Sequence, residues 1–233
     1  MLPQLNSLLQ SKANPTKAKI LQGFFKTKKG QYGEGDIFLG ITVPEQRKIA
    51  KQFTNLNLIE LQKLLNSKIH EKRLVSLLIL IEKYKKSEDK IKKEIFNFYL
   101  KNTDNINNWD LVDLSAPNII GNYLINHPRE RLITLAKSKN LWEKRISIIS
   151  TFSFIKNNQF QETLKISKIL LNDSHDLIHK AVGWMLRELG KKDIKELEKF
   201  LKLYYKQMPR TMLRYAIEKF PENKRQKYLK GKI

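Results

Sequence analysis

Residues 70–86, HEKRLVSLLILIEKYKK, set Leu74, Leu77, Leu78 and Ile81 at three- and four-residue spacing. That is the period of one face of an α-helix, and it predicts a helix with a buried stripe rather than a strand. The same spacing recurs along nearly the whole chain, and strand-like alternation is hardly seen. Helix starts are expected near residues 70, 108, 141, 175 and 209, steps of 38, 33, 34 and 34 that each accommodate two antiparallel helices and their turns. A repeat of that length belongs to a helical-hairpin solenoid, so the expected fold is all-α, a HEAT-like superhelix of about six helix pairs. The pairs Asn14-Pro15, Val43-Pro44, Ala116-Pro117, His127-Pro128, Met208-Pro209 and Phe220-Pro221 read as helix breaks, each proline suited to the first turn of the next helix.

The 233 residues, 41% of them apolar, suffice for one continuous core, and no Ser/Gly-rich or Pro-rich stretch divides the chain. A single domain over residues 1–233 is expected. With no cysteine, a disulfide framework, a thiolate metal site and a cysteine nucleophile are all excluded. No window approaches the ~20 apolar residues of a membrane span, and the N-terminal apolar run is too interrupted for a signal peptide. A soluble cytoplasmic protein is expected.

Lys and Arg number 45 against 23 Asp and Glu, a formal charge of +22. So large an excess repels itself unless a polyanion offsets it, which makes nucleic acid the first candidate partner. A composition biased toward Lys, Ile and Asn, with lysines coating solvated faces, accounts for part of the same excess and locates no site.

Four residues do not fit ordinary helices. Over residues 175–191, a wheel at ~100° per residue gathers Ile178, Val182, Met185 and Leu189 into one apolar sector and leaves Trp184 among Lys180, Arg187 and Lys191. An indole inside a basic stripe suits a nucleic-acid surface, where the ring packs on a base or sugar and the cations hold phosphates; burial under the next helix is the alternative. In LWEKRISIISTFSFI (141–155), Arg145 lies within the sector of Trp142, Ile148, Ile149 and Phe152. A guanidinium there requires either a neighbouring carboxylate or a phosphate. In NNWDLVDLSAP (107–117), Trp109 and Asp113 stand one turn apart on one face. Together they form either a core Trp with an Asp bridging to Arg145, or a site in which a carboxylate beside an aromatic wall stabilises positive charge on a sugar.

Two other features carry less. His175 and His179 have metal-ligand spacing but no third ligand, so no metal is expected. In KGQYGEGDIFL (29–39), Gly30, Gly33 and Gly35 crowd one loop, which reads as a structural turn before a phosphate-binding one, because the spacing is not that of a nucleotide loop.

The segments NNWDLVDLSAP, LWEKRISII and HKAVGWMLRELGK resemble those of the AlkD family of bacterial DNA alkylation-repair glycosylases. FFKTKKGQYGEGDIFLGITVPEQRKIAKQF (24–53) and PRTMLRYAIEKF (209–220) extend the similarity over most of the chain. The resemblance implies a HEAT-like array with a concave basic surface for duplex DNA, hydrolysis of the N-glycosidic bond of N3- or N7-alkylated purines, and no cofactor. It places Trp109, Asp113 and Trp184 in the active-site cleft and makes Arg145 the DNA-facing arginine. Lys180, Arg187, Arg210 and Arg214 are further candidates on the basic surface, and a monomer is the expected state. The sequence departs from the family pattern in the glycine-rich KGQYGEGD stretch, with Phe24 and Phe25 in the region of an expected aromatic contact. A HEAT-like scaffold that binds DNA or an acidic protein without catalysis, and an RNA-binding scaffold, use the same charge and are the alternatives.

Overall fold

The computed structural model describes residues 1–233, and it is helical without a sheet. Contacts divide the chain into two compact units, Met1–Ser115 and Ala116–Ile233. No helix is long and apolar enough to cross a membrane.

The first unit contains α1 (Leu2–Ser11), α2 (Pro15–Phe24), α3 (Val43–Gln52), α4 (Leu58–Leu65), α5 (His70–Lys86), α6 (Asp89–Lys101) and α7 (Trp109–Ala116). Helix α5 is its centre. Leu74, Leu77, Leu78, Ile79, Leu80 and Ile81 are all buried, because α3, α4 and α6 pack around it rather than along one stripe. Asn57 caps α4 in a reciprocal capping box with Glu60, and the Asn14 side chain accepts the Lys17 N–H at the start of α2.

Residues 25–42, between α2 and α3, form a long loop held by side chains of α5. Both Glu71 carboxylate oxygens are used there, accepting the N–H groups of Leu39, Gly40 and Ile41 at 2.9, 2.7 and 3.3 Å. An isolated bridge pairs Ile37 with Ile69. The glycines of this loop serve its path: Gly40 has φ +84°, and a Cβ on it would stand 2.3 Å from the Asn14 carbonyl oxygen, so α2 packs directly on the loop.

The second unit continues through a π-helical turn at Pro117–Gly121 into α8 (Asn122–Leu124), then α9 (Glu130–Ala136), α10 (Leu141–Ser150), α11 (Phe152–Lys156), α12 (Gln161–Ile169), α13 (Asp176–Lys192), α14 (Ile194–Tyr204), α15 (Arg210–Ala216) and α16 (Glu222–Leu229). Helix α13 is central here, packed by α10, α12, α14 and α15. Ile178, Val182, Met185 and Leu189 are buried as the wheel predicts. The expected starts at 70, 108, 141, 175 and 209 correspond to α5, α7, α10, α13 and α15.

One expected break is absent. Ala116 keeps helical dihedrals (φ −57°, ψ −45°), and Pro117 opens the π-helical turn instead of ending the helix. The wider turn accommodates a residue that has no N–H to donate and whose ring crowds the preceding turn.

Helices α13 and α15 approach through Gly183, where a Cβ would stand 2.5 Å from both the Met212 carbonyl oxygen and the Tyr215 Cβ. Backbone cannot yield as a flexible side chain does. Gly183→Ala is expected to destabilise the protein by ~1–3 kcal/mol in urea denaturation, against the gain of several tenths that alanine gives in an open helix; an unchanged midpoint would show that the two helices separate freely.

Candidate active site

Helix α7 begins in a buried cluster of charge. His70, the first residue of α5, is 2% exposed and lies between two carboxylates, with Nδ1 3.1 Å from Asp36 Oδ2 and Nε2 2.8 Å from Asp110 Oδ2. Since both ring nitrogens face acceptors, both must donate, and only the imidazolium carries two N–H groups. Burial opposes that charge. The Asp110 carboxylate, and the hydrogen bonds to Asp110 and Asp36, outweigh it and lift His70 from its ordinary 6.5 to about 9.

Arg73, one turn further along α5, completes the cluster. Its Nη2 lies 2.7 Å from each Asp36 oxygen, and its Nη1 donates to the Ser67 carbonyl at 2.9 Å. Burial alone would raise the Asp36 carboxyl, but the His70 hydrogen bond and the Arg73 charge hold it below the usual carboxylate range. Two carboxylates, one guanidinium and one imidazolium thus form a neutral quartet. Asn108 joins it, donating Nδ2 to Asp36 Oδ2 at 3.4 Å while its Oδ1 accepts the Trp109 N–H at 2.8 Å.

Trp109 is therefore fixed from both sides along the chain, between Asn108 and Asp110. Its ring stacks on Phe25 at 5.0 Å and 13°, and Phe24 meets it edge-on at 5.9 Å. Phe25 stacks in turn on Phe38 at 5.0 Å, and Phe38 on His70 at 4.5 Å. The indole is half-buried, so it forms the outer tier of an aromatic stack instead of a core plug. Asp113, one turn on, is also half-buried.

In the second unit, Trp184 is half-buried on α13, its Nε1 donating to Glu188 at 3.2 Å and its ring 6.2 Å from Phe152. Lys180 pairs with Asp176 at 2.7 Å, and Arg187 pairs with Glu218 and Glu188. On α15, packed against α13, Arg210 and Arg214 are exposed, Arg210 donating to the Leu229 carbonyl at 2.6 Å. Arg145 is 5% exposed, and its Nη1 donates to the Leu177 carbonyl at 2.6 Å. That backbone oxygen lies in the first turn of α13.

His175 and His179 serve the entry to α13. His175 Nδ1 accepts the Leu177 N–H, and His179 Nε2 bonds the Asp173 carbonyl. The glycine loop contributes Asp36 and Phe38 to the site. Sequence reasoning missed Asp36, His70, Arg73, Asn108 and Asp110; the available signal was a histidine and an arginine at i and i+3 in the first turn of an otherwise apolar helix.

The model of the DNA alkylation repair enzyme family matches residues 5–220. The chain belongs to that family. A solved structure of a predicted DNA alkylation repair enzyme from Enterococcus faecalis superposes with a TM-score of 0.69 at 16% identity, over 91% of this chain and 98% of that one. At that identity the likeness establishes the helical-repeat fold. No curated protein matches the sequence. Membership of the DNA alkylation repair family implies a DNA substrate.

The quartet has a pH signature. His70 gains stability on folding because its folded value lies above 6.5; that contribution is fully present below pH 6.5 and is lost as pH rises through about 9. Stability is expected to fall by up to ~3 kcal/mol between pH 6.5 and 9.5. His70→Gln is expected to be less stable at pH 6.5 and to flatten this dependence, as followed by thermal melts. A wild-type melting temperature that does not change over the same range would exclude a charged His70.

Proposed function

We propose that the chain is a DNA glycosylase that hydrolyses the N-glycosidic bond of N3- or N7-alkylated purines in duplex DNA. The observation that carries this reading is the pairing on α7 of a half-buried indole with a half-buried carboxylate one turn away, on a helix whose first turn is fixed by the buried quartet. Catalytic geometry must be held to fractions of an ångström, and a carboxylate on a braced helix meets that demand better than one on a loop.

Alkylation at N3 or N7 gives the purine a positive charge, so the base departs as a neutral molecule with the electrons of the glycosidic bond and needs no proton. The sugar becomes an oxocarbenium ion. Asp113 stabilises that developing charge and orients a water, whose oxygen forms the new bond to the sugar carbon as its proton passes to solvent. Trp109, stacked on Phe25 through one face, walls the sugar, since an indole attracts a cationic centre. Trp184 presents its ring to duplex DNA from the basic face of α13.

Lys180, Arg187, Arg210 and Arg214 supply phosphate contacts. The exposed Lys180–Asp176 pair does not preclude this, because such pairs are worth only ~0–1 kcal/mol and a phosphate competes with them. The burial of Arg145 favours bracing the first turn of α13, the helix that carries Lys180, Trp184 and Arg187, over direct contact along a phosphate. The helical-repeat fold, the family and the net charge support DNA as the partner; the braced Trp109–Asp113 pair supports catalysis over a scaffold, which needs cations but no particular carboxylate.

The test is release of 7-methylguanine and 3-methyladenine from methylated duplex DNA, with duplex affinity measured in parallel. Asp113→Asn is expected to lower release at least a hundredfold and to leave affinity within about twofold. Binding by wild type without release would leave a non-catalytic HEAT-like scaffold. Arg214→Ala is expected to weaken duplex binding with a salt slope smaller by about one; an unchanged slope would remove Arg214 from the interface.

A further inference from the structure

Helix α14 turns Leu197, Phe200 and Leu201 into the core of the second unit. On a wheel at ~100° per residue, Lys195, Lys199, Lys202 and Lys206 gather within about 60° of arc on the opposite side. Their spacing is i, i+4, i+7 and i+11, with Lys206 in the turn that ends the helix. All four are exposed. At 1.5 Å of rise per residue the row runs straight for roughly 16 Å, three turns of helix.

The row borders an open groove of about 730 Å³ that α14 shares with α16. Its floor is closed by Tyr205 and Tyr228, buried rings that meet edge-on at 5.3 Å. Leu203 also lines it and is 68% exposed, so an apolar side chain stands in water beside the lysines. Lys224 of α16 makes the lining five lysines against one carboxylate, Glu198, and those two pair with each other. Lys199 pairs with Glu196 at 2.6 Å across solvent-exposed side chains, a bond that a competing carboxylate displaces readily. Lys195 and Lys202 make no ion pair. None of Lys180, Trp184, Arg187, Arg210 and Arg214 lines this groove.

We propose that this groove docks an acidic amphipathic helix of another protein, with carboxylates at i, i+4, i+7 and i+11 and one leucine- or phenylalanine-sized side chain against Leu203. The argument is charge complementarity in register: a straight row of ammonium groups at helical spacing is matched by a row of carboxylates at the same spacing, and the apolar anchor covers the one exposed apolar side chain beside it. Duplex DNA answers only half of this pattern, since its backbone brings phosphates to the lysines and nothing apolar to Leu203. A second copy of this chain meets the row with like charge, its Lys and Arg outnumbering its Asp and Glu 45 to 23. The surface requires no hydrolysis at Asp113, so it stands or fails apart from the glycosylase reading.

The experiment titrates the full chain into a fluorescein-labelled, alanine-based helical peptide that carries glutamates at i, i+4, i+7 and i+11 and a leucine at i+8, read by anisotropy. Saturable binding is expected, and a peptide of the same composition with its glutamates redistributed around the helix is expected to bind at least tenfold more weakly. Two variants at exposed positions, both checked for native helix content, separate the two halves of the surface. Lys202→Gln with Lys206→Gln should weaken the peptide at least tenfold. Leu203→Ser changes no charge and should weaken it at least threefold. An undamaged duplex is titrated in parallel, and its affinity is expected to stay within about twofold in Leu203→Ser. No saturable binding, equal affinity for the redistributed peptide, or an unweakened Leu203→Ser would overturn the proposal. A lysine double variant that loses duplex affinity as steeply as peptide affinity would also overturn it and give the row to nucleic acid.

Discussion

Four charges removed from water hold the first unit of this protein together where its chemistry is expected. Each of Asp36, His70, Arg73 and Asp110 would alone cost several kcal/mol to bury, and none is tolerable without the others. Together they sum to zero and satisfy most of one another's hydrogen-bonding capacity. The arrangement ties three distant pieces of chain, the loop after α2 and the first turns of α5 and α7, to a common point. An apolar cluster would have held them with less angular definition. Directional bonds specify orientation, and Trp109 inherits it because its neighbours on both sides along the chain belong to the network.

The aromatic stack extends that definition outward. His70, Phe38, Phe25 and Trp109 follow one another at 4.5 to 5.0 Å, so the charged core and the half-buried indole form one rigid column. In the second unit, the same economy of residues serves a different end. Helix α13 buries its apolar sector and leaves a face of Lys180, Trp184 and Arg187, while Arg145 braces its first turn through a backbone carbonyl.

The helices were legible because their causes are local. Spacing of apolar residues and the turn residues between them placed the starts of α5, α7, α10, α13 and α15, and the wheel correctly separated Trp184 from the buried sector of α13. Pro117 was misread for an equally local reason, since proline most often ends a helix and a π-helical turn that absorbs it leaves no sequence mark. Trp109 and Asp113 drew attention through their motif and their i, i+4 spacing. The quartet that positions them was not, because Asp36, His70 and Asp110 are separated by 34 and 40 residues and each, taken singly, reads as a solvated polar side chain. For Arg145 the hydrogen bond to a backbone carbonyl in the first turn of α13 left no mark in the sequence, since any residue supplies that acceptor.

The protonation state of His70 is the point on which this description of the site depends, and ring-nitrogen NMR of the ¹⁵N-labelled protein measures it directly. Among the four histidines, His70 is assigned as the set of resonances missing from His70→Gln. Both Nδ1–H and Nε2–H protons are expected at pH 7.5, with the ring nitrogens titrating near 9. A single N–H at pH 7.5 would contradict the neutral quartet, because the cluster would then hold a net negative charge and one carboxylate would face an imidazole nitrogen with no proton to offer.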